Sequence, residues 1–149
     1  MKLAKVPPPV AAILSLAAGF GLHFALREPW RAEPASRACA VVMSAAALAG
    51  AAWAWLLFRL RRTPVLPGRR ATCLVTSGPF RFSRNPMYLG LVVILAAIAL
   101  WFGSWSLLIA PLAFFTFMSL VRIPHEEKHL REIFGEPYTD YLKKVRRWI

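Results

Sequence analysis

Four apolar blocks dominate the chain: Val10 to Leu26, Ala38 to Phe58, Met87 to Phe102 and Trp105 to Val121. Each is 16 to 21 residues long, and every Asp, Glu, Lys and Arg lies outside them. Lipid offers no hydrogen-bond partner to backbone N–H and C=O groups, so a segment of this length and polarity is stable in a bilayer only as a helix that satisfies them internally. The hydrophobic share of 58 % arrives in these blocks and not in the short alternations of a soluble sheet. The expected fold is all-α and integral to the membrane, with about four transmembrane helices in a single domain over residues 1–149. The shorter blocks must borrow flanking residues or sit where the bilayer thins.

The net charge of +12 would fit a nucleic-acid partner, but the basic residues are confined to the segments between the blocks and no aromatic-interleaved basic face accompanies them. Topology and attraction to membrane lipids account for them better, and no nucleic acid is expected. Lys2 and Lys5 precede the first block, and Arg27, Arg31 and Arg37 follow it. The second loop carries Arg59, Arg61, Arg62, Arg69, Arg70, Arg81 and Arg84, and the tail from Arg122 carries seven more, while the Gly103-Ser104 turn has none. By the positive-inside rule both termini and the long second loop are cytoplasmic, in a bacterial cytoplasmic membrane, with any active site on that side. Lys2 and Lys5 would also suit a signal peptide, but no small-residue cleavage pattern follows, so the first block is read as a span.

Trp101 and Trp105 flank the Gly103-Ser104 turn, and Trp53 and Trp55 lie near the other end of the second block, as interfacial anchors do. Spans three and four are therefore expected to form a helical hairpin. Cys39 and Cys73 fall on opposite sides of the membrane and cannot pair; Cys39 is expected to serve packing. In the tail, Leu130, Phe134, Tyr138, Tyr141 and Val145 recur at steps of three or four, one apolar stripe on a charged helix interrupted at Gly135 and Pro137. Two short amphipathic helices, lying on the cytoplasmic face or folded over the bundle mouth, are expected there.

Two clusters carry chemistry. In TSGPFRFSRNPMYLG, Thr76 to Gly90, Gly78-Pro79 is a turn signal, Asn85 suits an N-cap and Pro86 the first helical position. The same helix start, with Arg84 beside it and Tyr88 one turn in, suits a carboxylate or phosphate. The second cluster is Glu126 and Glu127, just past the fourth span. They could merely complement a helix dipole after Pro124. A tight hairpin would also bring them opposite Arg84, so that both ends of a zwitterion could be held. His125-Glu126-Glu127-Lys128-His129 further matches the zinc-protease pattern H-E-x-x-H. A third ligand is short of supply: His23 belongs to the other face and Glu132 is the sole nearby candidate, so no metal is expected.

On these residues the chain resembles the isoprenylcysteine carboxyl methyltransferases and their phospholipid methyltransferase relatives. TSGPFRFSRNPMYLG is similar to the family's Gly-Pro, aromatic, Arg-His-Pro-x-Tyr-x-Gly pattern, and EEKHLREIFGEPYTDYLKKV to its Glu-Glu, Leu, Phe-Gly, Tyr, Tyr run. The likeness covers residues 72–145. It implies an integral membrane enzyme that moves a methyl group from S-adenosyl-L-methionine to a lipophilic acceptor, either an isoprenylcysteine carboxylate or a phospholipid or other lipid. Carried over by position, Arg84, Asn85, Pro86, Tyr88 and Gly90 fall where the family holds the cofactor and Glu126 and Glu127 on its acidic pair, with Tyr138 and Tyr141 as walls of the pocket. Arg84, Glu127 and Tyr88 would act in catalysis, and Arg81 would steer an acidic acceptor. Asn85 replaces the family's histidine, which puts proton transfer there in doubt. Val145-Arg146-Arg147 stands where members often have Val-Pro-Arg, a difference expected to affect the last turn more than the site. The alternatives are a membrane zinc metalloprotease acting through His125, Glu126 and His129, or a non-catalytic lipid-binding scaffold.

Overall fold

The structure, a computed structural model, describes residues 6–62 and 73–149. Lys2, Lys5, Arg69, Arg70 and the start of the signature region at Thr72 lie outside the described residues. Among the described residues the regular structure is helical, without strands.

Prolines set the helix starts, where their missing N–H costs nothing. Helix α1 (Pro8–Ala25) opens on Pro8 and Pro9, and α2 (Pro34–Leu60) on Pro34, with Ser36 Oγ accepting the Glu33 N–H at 3.1 Å. Helix α3 (Pro86–Phe102) opens on Pro86 after a 3₁₀ turn, Gly78–Arg81. It ends at Gly103, whose φ of +62° lets the Ser104 N–H reach back to the Ala99 carbonyl at 3.2 Å. A β-carbon on residue 103 would also collide with the Arg31 and Ala32 backbone, so the expected tight turn requires glycine twice over.

The fourth rod runs without a break from Ser106 to Phe134. It comprises a 3₁₀ turn, α4 (Ile109–Phe117), a π turn (Met118–Arg122) and α5 (Ile123–Phe134). The sequence places the end of the fourth span near Val121, but Pro124 does not stop this helix. It widens one turn, and α5, the first of the two short charged helices expected in the tail, follows the fourth rod without a break. Only α6 (Glu136–Lys144) breaks away, at Gly135 with φ +59°. Among the described residues three rods, α1, α2 and Ser106–Phe134, are long and apolar enough to cross a membrane. Helix α3 is equally apolar but has 17 residues, roughly 25 Å.

Helix α3 packs on α2 along one side and on α4 along the other, and α1 packs on α4. Gly90 faces α2: a β-carbon there would lie 3.3 Å from the Ala47 carbonyl oxygen and 3.7 Å from the Ala51 methyl. The core gathers Ala11, Ala12, Leu95, Ala110, Phe114, Met118 and Ile123. Only 6 % of the apolar window of α2 is buried inside the protein, which leaves most of its surface for lipid. Cys39 is exposed on this helix, so it does not serve the packing role expected of it, and both cysteines are free.

At the end of the bundle where α1 finishes and the fourth rod begins, Glu28 closes the connection. Its carboxylate accepts the Trp105 N–H at 2.7 Å, the Ser106 N–H at 3.0 Å and the Ser104 and Ser106 hydroxyls at 3.0 and 2.5 Å. These donors, the Ser106 hydroxyl foremost, overcome partial burial and lower its pKa to about 2. His23 is buried beside it, with Nδ1 3.0 Å from Ser104 Oγ and its ring stacked on Trp30 at 3.5 Å.

Candidate functional site

At the opposite end of the bundle the start of α3 meets the π turn, α5 and the chain's last residues. The π turn follows from Pro124. The Ile123 N–H bonds the Met118 carbonyl, five residues back. In that register the Ser119 carbonyl would be paired by residue 124, which as proline has no N–H to give. The orphaned oxygen instead accepts Arg147 Nη1 at 3.3 Å, and Ser119 Oγ accepts Trp148 Nε1 at 3.1 Å.

Glu127 is the centre of the cluster. Arg84 Nη1 lies 3.0 Å from its Oε1, while Arg147 grips it as a fork, Nε to Oε1 at 3.1 Å and Nη2 to Oε2 at 2.8 Å. Its side chain is 9 % exposed, so these are low-dielectric contacts, stronger than surface ion pairs. The bonds to Glu127 hold the Arg147 guanidinium more firmly protonated than usual. Glu126 turns toward α3: the Tyr88 hydroxyl donates to both its oxygens, at 2.9 and 3.0 Å, and Arg122 Nε reaches Oε1 at 2.7 Å. Three guanidinium groups thus surround two carboxylates. Arg84 Nε is enclosed without a hydrogen-bond partner.

The hairpin brings Arg84 and Glu127 together, as the sequence reading expected of these two positions. Asn85 precedes α3 but its side chain does not cap the helix. Its Nδ2 donates to the Arg147 carbonyl at 3.0 Å, beside the Arg84 N–H that donates to the Arg146 carbonyl at 3.1 Å. Residues 146–148 therefore enter the cluster, where the difference at Val145-Arg146-Arg147 was expected to affect the last turn more than the site. Gly90 is buried against α2, where it serves helix contact and offers no surface to a ligand. Pro86 acts as a helix starter. Arg81 is exposed.

Tyr138 is 3 % exposed, and burial together with the charge of Glu127 pushes its hydroxyl pKa up to about 12. Tyr141 is also buried, and its hydroxyl donates to the Phe80 carbonyl at 2.7 Å, tying α6 to the 3₁₀ turn. Burial raises its pKa too. Beside Glu127 the outer face of α5 forms an open groove lined by Pro124, Glu127, Lys128, Arg131 and Glu132.

The zinc pattern finds no ligand set. Glu126 is engaged by Tyr88 and Arg122, His125 and His129 are exposed, and among the described residues no group of three His, Cys, Asp or Glu could hold a metal. Arg122, Ser119 and Arg147 were missed by sequence reasoning. Arg122 had a signal in its i,i+4 spacing to Glu126 and Ser119 in Pro124 five residues on; Arg147 had one only in the resembling family's Val-Pro-Arg, because its contact spans twenty residues and a break at Gly135.

Long apolar helices with a buried ionic cluster at one end define a helical membrane protein whose polar chemistry is gathered at a single mouth. The chain belongs to the phospholipid methyltransferase family, whose profile matches residues 40–137. An uncharacterized protein of Haemophilus influenzae is 38 % identical over 63 residues, which is 42 % of this chain and 100 % of that protein. Protein-S-isoprenylcysteine O-methyltransferase B of Arabidopsis thaliana is 32 % identical over 79 residues, 48 % of this chain and 36 % of its own. A probable protein-S-isoprenylcysteine O-methyltransferase of Oryza sativa subsp. indica is 34 % identical over 79 residues, 48 % of this chain and 38 % of its own. The chain thus spans little more than a third of the length of these plant relatives. No solved structure matches it.

Proposed function

We propose that the chain is an S-adenosylmethionine-dependent methyltransferase of the membrane that methylates a lipophilic acceptor, an isoprenylcysteine carboxylate or a phospholipid or other lipid. The observation that carries this reading is the buried pairing of Arg84 with Glu127 at one end of the helices, in a chain of the phospholipid methyltransferase family. The donor set fits the cofactor. Glu127 can hold an ammonium group, and Arg84, whose Nε is enclosed and unpartnered, can hold a carboxylate. Tyr138 supplies an aromatic wall next to Glu127.

When bound, the cofactor supplies a methyl group on a sulfonium, an activated leaving group. The chain's own contribution is then positioning and exclusion of water. Arg84 and Glu127 fix the polar end of the cofactor at the mouth. Tyr88, Glu126 and Arg122 form a sealed hydrogen-bonded group between that mouth and the apolar helices, where the acceptor arrives laterally from lipid. A carboxylate acceptor needs no general base; an amine acceptor must shed a proton, and Glu126 is the carboxylate facing the apolar side. Four membrane crossings with α3 as the third, and termini and mouth in the cytoplasm, complete the proposal. The isoprenylcysteine acceptor is favoured by the names of the plant relatives.

Calorimetry with S-adenosylhomocysteine on the folded protein in detergent tests it. Binding is expected, weakened about tenfold or more in Arg84→Ala, the worth of a charge-assisted bond. Absence of binding to well-folded protein would falsify the reading.

A further inference from the structure

The last residues of the chain offer the mouth a particular chemical pattern. Two carbonyl oxygens, of Arg146 and Arg147, accept from the Arg84 N–H and from Asn85 Nδ2, and one cation, the Arg147 guanidinium, sits on Glu127. Two oxygen acceptors and a cation, presented together to an arginine backbone, an amide and a carboxylate, are what an α-amino acid presents with its carboxylate and ammonium groups. We propose that the segment 146–148 is an internal stand-in for the amino-acid end of the methyl donor. Glu127 is the ammonium seat, the Arg84 N–H and Asn85 receive the carboxylate with the Arg84 guanidinium beside them, and the donor loads by displacing this extended segment. This rests on the methyl-donor reading above.

Acceptor capacity separates the two glutamates. A carboxylate offers about four lone-pair sites. On Glu127 the Arg147 fork takes one on each oxygen, and the Arg84 guanidinium crowds Oε1 as an ion pair at 3.0 Å. An ammonium group with three donors therefore needs the places that Arg147 holds. Glu126 is closed by Tyr88 and Arg122, both carried on long helices that cannot leave. Arg147 lies beyond the end of α6 with its side chain 35 % exposed, on a strand held by replaceable bonds: those already named and a stack of Trp148 on Phe115 at 4.6 Å. Asn85 gains a role here that needs no proton transfer, since an amide N–H serves a carboxylate oxygen as it now serves a carbonyl. The Ser119 carbonyl, orphaned by Pro124, is the dock that holds the strand between turnovers.

The test compares S-adenosylhomocysteine binding by calorimetry in the wild type, Arg147→Ala and Trp148→Ala. Trp148→Ala loosens the strand without touching Glu127, and decides alone if Arg147→Ala fails to fold. Removing an internal competitor raises the competent fraction, so both variants should bind about tenfold tighter. Ligand should also speed trypsin cleavage at Lys144 and Arg146 in the wild type, which a purely structural strand would not show. Equal or weaker binding in the folded variants, with normal binding by the wild type, overturns strand displacement and leaves the donor reading standing. No binding by any of the three overturns both.

Discussion

Glu127→Gln keeps the volume of the side chain and removes one charge, leaving two guanidinium groups facing each other across an amide. Breaking a buried ion pair from one side costs about 3–5 kcal/mol, because the remaining charge is stranded. Here Arg84 and Glu127 are 14 % and 9 % exposed, within the range of that figure, whereas Arg147 at 35 % is partly screened by solvent and adds less. The amide oxygen can still accept one donor, which returns about 1 kcal/mol. A net loss of about 3 kcal/mol follows, or roughly 6–12 °C in Tm for a chain of this size. Thermal unfolding in detergent, followed by tryptophan fluorescence, reads it. Glu132→Gln, on a side chain 60 % exposed, is the control and should not move. The double variant Glu127→Gln with Arg147→Gln should recover part of the loss, since it removes one stranded charge. A Tm for Glu127→Gln within about 1 °C of the wild type would refute the account of this cluster as a buried, mutually dependent unit.

Three further outcomes are expected. Glu28 has its pKa depressed to about 2 from an ordinary 4.5, so its contribution to stability is present above the ordinary value and lost as pH falls through the depressed one. The Tm difference between wild type and Glu28→Gln should accordingly be constant above about pH 5 and shrink between pH 4 and 2. Gly90→Leu drives a side chain into the Ala47 carbonyl and should cost about 1–3 kcal/mol by prising α2 from α3, seen as a lower Tm and faster hydrogen exchange of α2 amides. Tyr141→Phe leaves the Phe80 carbonyl without its donor and should cost about 1–3 kcal/mol while S-adenosylhomocysteine affinity stays within about twofold; a large affinity loss would show that α6 contacts the ligand.

The helices and the hairpin were legible because their signals are local. Block length, starter prolines and Gly103 act within a few residues, and Arg84 met Glu127 as soon as α3 and the fourth rod were taken as a hairpin. The rest depended on register and on distance. Pro124 read as a possible helix boundary, yet a helix end requires a competing conformation more favourable than one widened turn, and with apolar packing on both sides none was available. That single turn decides where Arg122, Glu126 and Glu127 point. Gly90 entered as a cofactor position by resemblance alone, and nothing local in the sequence told that α2 lies against it. Asn85 looked like a cap, and the cap was not used because the Arg147 carbonyl just beyond α6, rather than its own helix, offered the better partner.

The two ends of the bundle make the same element, a carboxylate among donors, to opposite effect. Glu28 is held by two backbone N–H groups and two short hydroxyls, all neutral and all fixed at the start of one helix. Nothing in that clasp can leave without unwinding the rod. Glu127 is held by two long cationic side chains, one of them on the terminal strand, within a cluster that carries one guanidinium more than it has carboxylates and an enclosed donor with no partner. Its bonds are individually stronger but can be exchanged for those of another cation without disturbing a helix. A fixed end and an exchangeable end on one short bundle is the division that a membrane enzyme needs: the first keeps α1 and the α3 hairpin in register, so that the second can trade partners while Tyr88, Glu126 and Arg122 keep their places.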